Sequence, residues 1–431
     1  MISYTKDLAS LARALASEGI DLLDYLAHLE SLIQEREPVV KAFLPEENRF
    51  SRLRNEARVL LDRYPHPEER PPLFGVPVGV KDIFRVQGFP TRAGSKLPSA
   101  AFEGDEAKSV TRLKQAGALI LGKTVTTEFA YFAPGPTTNP FNEAHTPGGS
   151  SSGSAAAVSA GMCPLALGSQ TIGSINRPAA FCGVVGFKPS YDRISKMGVI
   201  PVSDSLDHVG FFTGNARGAA WVAEVLIPDW RPVSLDVQPV LGIPEGPYLD
   251  KTSPEGKENF HHNVEKLAEQ GYKLVRVKVM SDFEQIAARH QVIMAAEAAR
   301  VHAGWFTKYG SLYHEKTQAL IREGQSATTA ALQEALPGRE RLRSELMAAM
   351  QGAGVDLWIA PAARGTAPRG LQSTGDPIMN LPWTHSGLPT LSLPSGFNPS
   401  GLPFGLQVIG KWYADEALLV WASGIESVLG G

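Results

Sequence analysis

The feature that most constrains this chain is an alternation of short, mostly apolar runs with helical patterns. FGVPVGVKD (Phe74 to Asp82), LILGK (Leu119 to Lys123) and PLALGSQT (Pro164 to Thr171) read as strands without the in-out polarity of a half-exposed sheet. KSVTRLKQAGA (Lys108 to Ala118) and the small-residue AAAVSAG (Ala155 to Gly161) read as helices between them. Strands apolar on both faces need cover on both faces, so the expectation is an α/β fold.

The rest of the chain supplies more of each kind. Leu8, Leu11 and Leu15, then Leu22, Leu26 and Leu29, recur at helical steps, and residues 5–64 are expected to be mostly helical, broken at Pro38 and Pro45. From about 217 to 352 helices dominate, over Pro254–Glu269, Asp282–Ala303 and Arg339–Met350, with strands at VLGIP (Val240 to Pro244) and YKLVRVKVM (Tyr272 to Met280). DLWIAPA (Asp356 to Ala362), PTLSLPSG (Pro389 to Gly396) and PFGLQVIGK (Pro403 to Lys411) read as further core strands before a closing helix from about Ala414. The reading is a helical segment, 1–70, packed on a core formed by 71–216 and 353–431. Residues 217–352 form a largely helical excursion within the same fold.

Composition excludes several functions. Hydrophobic residues at 43% and charged residues at 20% fit a soluble globular chain. A net charge of −3 gives no basic field for phosphates, so no nucleic-acid partner is expected. The N-terminal MISYTKDLASLARALASEG is amphipathic, with no apolar core of a signal peptide, and no uncharged run is long enough to span a bilayer. The cytoplasm and no membrane association are therefore expected. Cys163 and Cys182 sit in apolar stretches as buried thiols, and the ten histidines show no metal-ligand spacing, so neither metal nor cofactor is expected.

Three places could carry chemistry. TPGGSSSGS (Thr146 to Ser154) is either a flexible linker or a Gly-rich turn presenting N–H groups and hydroxyls at a helix start. Ser174 follows a strand and sits beside Gly173, either as a turn residue or as an outward-facing nucleophile. Lys81 ends an apolar strand. It either reaches solvent or stays buried, where desolvation would turn its amine into a base.

Together these residues resemble the amidase signature family. The resemblance is carried by GVPVGVKD (Gly75 to Asp82), GALILGKTVTTEFA (Gly117 to Ala130), TPGGSSSGSAAAVSAGM (Thr146 to Met162) and LGSQTIGSINRPAAFCGVVGFKPS (Leu167 to Ser190). SLDHVG (Ser205 to Gly210) and STGDPIMNLPWTHSGLPTLSLPSG (Ser373 to Gly396) continue it. It implies a central mixed β-sheet flanked by helices on both faces. It also implies Lys81 as base, Ser150 as proton relay behind a cis Gly149–Ser150 peptide, and Ser174 as nucleophile forming an acyl-enzyme. Backbone N–H groups of Thr171, Ile172, Gly173 and Ser174 would form the oxyanion hole. His208 is the tempting alternative base in SLDHVG, but the resemblance gives it no catalytic role and no G-x-S-x-G turn exists to partner it.

The chain departs from the common family pattern around the nucleophile. Gln170 stands where most members have Asp, which is similar to the malonamidase-like subgroup, as is GGSSSGS. That likeness implies Arg177 as a clamp for a substrate carboxylate, with Gln170 and Ser151 beside the substrate; an internal acid is the other partner open to Arg177. Ile172 in place of Gly is expected to reshape the oxyanion loop or narrow the pocket, because β-branched residues resist positive φ. The leading expectation is a stand-alone amidohydrolase for a small carboxamide, carboxylate-bearing substrates included; a homodimer is left open. The alternatives are the amidase-type subunit of a tRNA-dependent amidotransferase, against which Asn176 counts, and a catalytically weakened member.

Overall fold

The computed structural model describes residues 7–430; Met1–Lys6, the start of the expected N-terminal amphipathic helix, lie outside the described residues. Ten strands form one mixed sheet: β1 (Pro77–Lys81), β2 (Leu119–Thr124), β3 (Leu165–Gln170), β4 (Val185–Lys188), β5 (His208–Thr213), β6 (Leu241–Glu245), β7 (Leu274–Lys278), β8 (Leu357–Pro361), β9 (Thr390–Phe397) and β10 (Pro403–Ile409). Their spatial order is β2-β1-β3-β5-β4-β9-β10-β8-β6-β7. The first three strands run parallel, as do β6, β7 and β8; antiparallel pairs join these two parallel sets through β5, β4, β9 and β10.

The apolar runs explain this arrangement. Every residue of β1, β2, β3, β4, β5 and β8 is buried, as strands covered by helices on both faces require. β7, at the sheet edge, shows exposed and half-buried positions instead. Sequence patterning left β4 and β5 unmarked. Both are short, and β5 begins inside SLDHVG, where polar residues mask the strand signal.

The helix Leu22–Val40 differs from expectation at Pro38, which lies inside its last turn. The break falls instead at Lys41, which takes a left-handed conformation with φ 53°, and Pro45 lies in the connection to the helix Arg49–Arg63. Proline costs a helix the N–H bond at its own position, and this near the C-terminus the helix needs only two more residues. Among the described residues, no helix is long and apolar enough to cross a membrane.

Candidate active site

The C-terminal ends of β1 and β3 set the site. β1 ends on Lys81, whose side chain is fully buried. Its Nζ donates to Ser150 Oγ at 2.7 Å and to Ser169 Oγ at 2.8 Å. Burial pushes the amine well below the ordinary lysine range, and the negative Asp207 carboxylate offsets only part of this. The neutral amine a base requires is therefore favoured by position.

Ser150 enters on the turn before the helix Ser152–Ser159, and the Gly149–Ser150 peptide is cis. Its backbone carbonyl accepts from Thr127 N at 3.1 Å. The neighbouring serines serve the scaffold. Ser151 Oγ donates to Ser169 O at 3.2 Å and lies 3.3 Å from Ser169 N, while Ser152 Oγ donates to Gly148 O.

Ser174 follows β3 on the turn Thr171–Ile175, ahead of the helix Asn176–Cys182. Its hydroxyl makes no hydrogen bond among the described residues, nor do the N–H groups of Thr171, Ile172, Gly173 and Ser174 donate to a protein acceptor there. Near-buried donors left free on one turn suit a developing oxyanion. Neither Ile172 nor Gly173 has a positive φ, so the expected conflict between a β-branched side chain and the loop backbone does not arise. Gly173 is required for a different reason: a Cβ there would lie 2.3 Å from Asn380 Oδ1.

Arg177 is buried, on the helix after the nucleophile turn. Its Nη2 donates to Gly149 O at 2.7 Å and Thr374 Oγ1 at 3.0 Å, while Nε and Nη1 have no partner. Burial lowers its pKa to about 10, with Asp376 opposing, so it stays charged near neutrality. Ser174, Arg177, Thr171 and Ile172 line one cavity with Tyr131, Phe132 and Met294. It is tight: only about 10 Å³ is open to the centre of a water molecule. A wider cleft of about 640 Å³, between Arg85–Thr91 and Ser99–Glu106, shares no residue with this constellation.

The structure bonds Lys81 to Ser150 and Arg177 to Gly149, sets Ser174, Arg177, Thr171 and Ile172 around one cavity, and bonds Ser151 and Gln170 within the protein. The polar atoms of both have partners inside the protein. Gln170 Oε1 accepts from Ile175 N and Asn176 N, and its Nε2 donates to Asn176 Oδ1 and Thr384 Oγ1. His208 stays structural: its Nδ1 meets Leu206 O at 2.7 Å, and burial, with Lys188 nearby, holds the ring neutral. Its neighbour Asp207 ties SLDHVG to the nucleophile turn, accepting from Thr171 Oγ1 and from the backbone of Val202 and Ser203. Ser169 and Asp207 lie inside the quoted motifs but carried no signal there that set them apart from their neighbours.

With this geometry in place, comparison with known proteins decides the family. The amidase family model matches residues 33–419. The chain belongs to the amidase family. It is 33% identical to a glutamyl-tRNA(Gln) amidotransferase subunit from Synechococcus sp. (strain WH7803), over 97% of this chain and 96% of that protein. The crystal structure of an amidase superposes with a TM-score of 0.90 at 32% identity, covering 98% of this chain and 99% of the other. A peptide amidase bound to the competitive inhibitor chymostatin superposes at 0.84 with 25% identity, covering 99% and 97%. Family membership makes the chain an enzyme of amide C–N bond chemistry on an α/β amidase-signature fold.

One expectation is corrected by these relatives. The low net charge led to no nucleic-acid partner, yet the Synechococcus relative is by name one component of an amidotransferase for glutamyl-tRNA(Gln). Net charge sums over a whole surface. It cannot exclude tRNA handled by an assembly to which such a chain contributes one component.

Proposed function

We propose that this amidase-family chain opens a carboxamide through Ser174, releases ammonia, and does so as the amidase-type subunit of a tRNA-dependent amidotransferase. The chemistry rests on one observation: a fully buried Lys81 bonded to Ser150 at 2.7 Å, beside a nucleophile turn with unused N–H groups. Neutral Lys81 accepts a proton from Ser150, which takes one from Ser174 as its Oγ attacks the amide carbon. In the resting site Ser174 is unbonded, and the relay closes when its hydroxyl turns toward Ser150. The carbonyl oxygen, now negative, receives the N–H groups of Thr171 to Ser174; each such donor is worth roughly 10²–10³ in rate. Collapse breaks the C–N bond, and the proton returns through Ser150 to the leaving nitrogen. Water, deprotonated by the same relay, then releases the acyl group.

The unpartnered Nε and Nη1 of Arg177 leave N–H donors and a buried positive charge for a carboxylate on the substrate, which they would meet by single hydrogen bonds because Nη2, shared by both guanidinium forks, is already bonded. An amide-donor amino acid carries such a group, which fits the amidotransferase reading. The names of the curated relatives support that reading. The second reading, a stand-alone amidohydrolase, is supported by the amidase structure at nearly equal identity.

Ammonia release from a panel of carboxylate-bearing and neutral amides, by wild type and Ser174→Ala, tests the chemistry. Retained turnover in Ser174→Ala would sink it. Efficient turnover by the isolated chain on a simple amide would favour the stand-alone reading. Turnover restored only by a purified amidotransferase partner protein would favour the other.

A further inference from the structure

The nucleophile turn must hold its N–H groups toward substrate, and the reverse side of that turn shows how. In a planar trans peptide the C=O and N–H point in opposite directions, so whatever grips a carbonyl from behind aims the next N–H forward. Gly173 O accepts from Arg177 N at 3.0 Å, which aims the Ser174 N–H. Ile172 O accepts from Thr384 Oγ1 at 2.6 Å, which aims the Gly173 N–H.

Thr384 has one hydroxyl proton and three neighbours. Ile172 O lies at 2.6 Å, Asn380 O at 3.2 Å and Gln170 Nε2 at 3.0 Å. The orientation of the Gln170 amide is fixed by its surroundings: two backbone N–H groups, Ile175 at 2.8 Å and Asn176 at 3.0 Å, require oxygen on that side. Nitrogen therefore faces Thr384 and donates to it. A hydroxyl that accepts from Gln170 keeps its own proton for Ile172. Thr384 and Gln170 are both fully buried, so no water competes.

We propose that Thr384 and Gln170 are positioning residues for the oxyanion turn, with the Gln170 amide setting the direction of the Thr384 hydroxyl and thereby the aim of the Gly173 N–H. A Glu at 170, which keeps the reach of Gln170 as the shorter Asp common in the family does not, has only acceptors. It would still take the two backbone N–H groups, but it would draw the Thr384 proton to itself and leave Ile172 O without a donor. In this chain the amide thus acts through Thr384, with its oxygen and nitrogen both bonded within the protein.

The inference rests on Ser174 as nucleophile, and the test separates the two. A fluorophosphonate phosphonylates an activated serine and places its P=O oxygen in the oxyanion hole, so its labelling rate, followed by intact mass, needs no known substrate. Wild type should label on Ser174 and Ser174→Ala should not; an unlabelled wild type, or a labelled Ser174→Ala, overturns the nucleophile reading and this inference together. Thr384→Val and the isosteric Gln170→Glu should each slow labelling by about tenfold or more, below the roughly 10²–10³ for deleting a donor outright. Thr384→Ser should restore the rate, and all three should melt cooperatively. With wild type labelled on Ser174, a Gln170→Glu protein that melts cooperatively and labels at the wild-type rate overturns the role of Gln170. Wild-type labelling by Thr384→Val, or failure of Thr384→Ser to restore the rate, overturns that of Thr384.

Discussion

Lys81 Nζ donates to Ser169 Oγ at 2.8 Å, almost as close as its 2.7 Å bond to Ser150. Ser169 lies on β3, the parallel neighbour of the strand that ends on Lys81, so the sheet itself sets this contact. A hydroxyl that accepts from the amine favours its protonated form and fixes its direction.

That contact gives a pH prediction. Lys81 acts as a base only when neutral, so kcat/KM should be lost as pH falls through its pKa, at an inflection well below the ordinary lysine value of 10.5. Ser169→Ala removes an acceptor for the ammonium, which lowers the pKa further. The acid limb should move to lower pH while kcat drops roughly 10- to 100-fold from lost alignment. A pH–rate profile with an unmoved acid limb would remove Ser169 from this role.

Arg177 offers a second test. Its Nε and Nη1 are unpartnered, while Nη2 is spent on Gly149 and Thr374. Arg177→Lys keeps a charge but loses the rigid planar array that carries these donors. Carboxylate-bearing amides should lose roughly 10- to 100-fold in kcat/KM relative to neutral amides, the size of a charged hydrogen bond. Equal losses on both substrate classes, measured side by side, would show that Arg177 serves the loop and not the substrate.

At Gly173 the close approach of Asn380 makes a methyl group intolerable without movement. Gly173→Ala should displace the turn and abolish most activity, with about 1–3 kcal/mol lost from stability by overpacking. Denaturant melts and ammonia release together check this. Near-wild-type values in both would mean the 2.3 Å approach to Asn380 Oδ1 relaxes freely.

Buried histidines predict acid sensitivity. His302, whose Nδ1 lies 3.0 Å from Tyr313 Oη, is pushed by burial from 6.5 to about 4. The unfolded chain takes up this proton near pH 6.5 and the folded chain only near 4, so stability is complete above 6.5 and falls as pH drops toward 4. The slope for one such group is about 1.4 kcal/mol per pH unit. His290 and His385, lowered by burial to about 3 and about 2, add in the same direction. His302→Phe should give a shallower decline of unfolding free energy between pH 6 and 4. An unchanged slope in urea melts would refute the neutral buried state.

By itself, the sequence determined the parts whose signal is local. Runs such as LALGSQ and LWIAP are apolar on both faces and could only become covered strands, and the spacing of Lys81, Ser150 and Ser174 marked the chemistry through its likeness to a family. Pairings across the chain were decided by tertiary structure. Ser169 meets Lys81 over 88 residues, Thr374 meets Arg177 over 197 and Thr384 meets Ile172 over 212. A serine or threonine looks alike in sequence whether it caps a turn or aims a catalytic peptide. The internal partners of Gln170 and Ser151 were hidden for the same reason. The physical difference is directional: patterning reports how much of a residue is buried, and only the assembled sheet fixes which donor faces which acceptor.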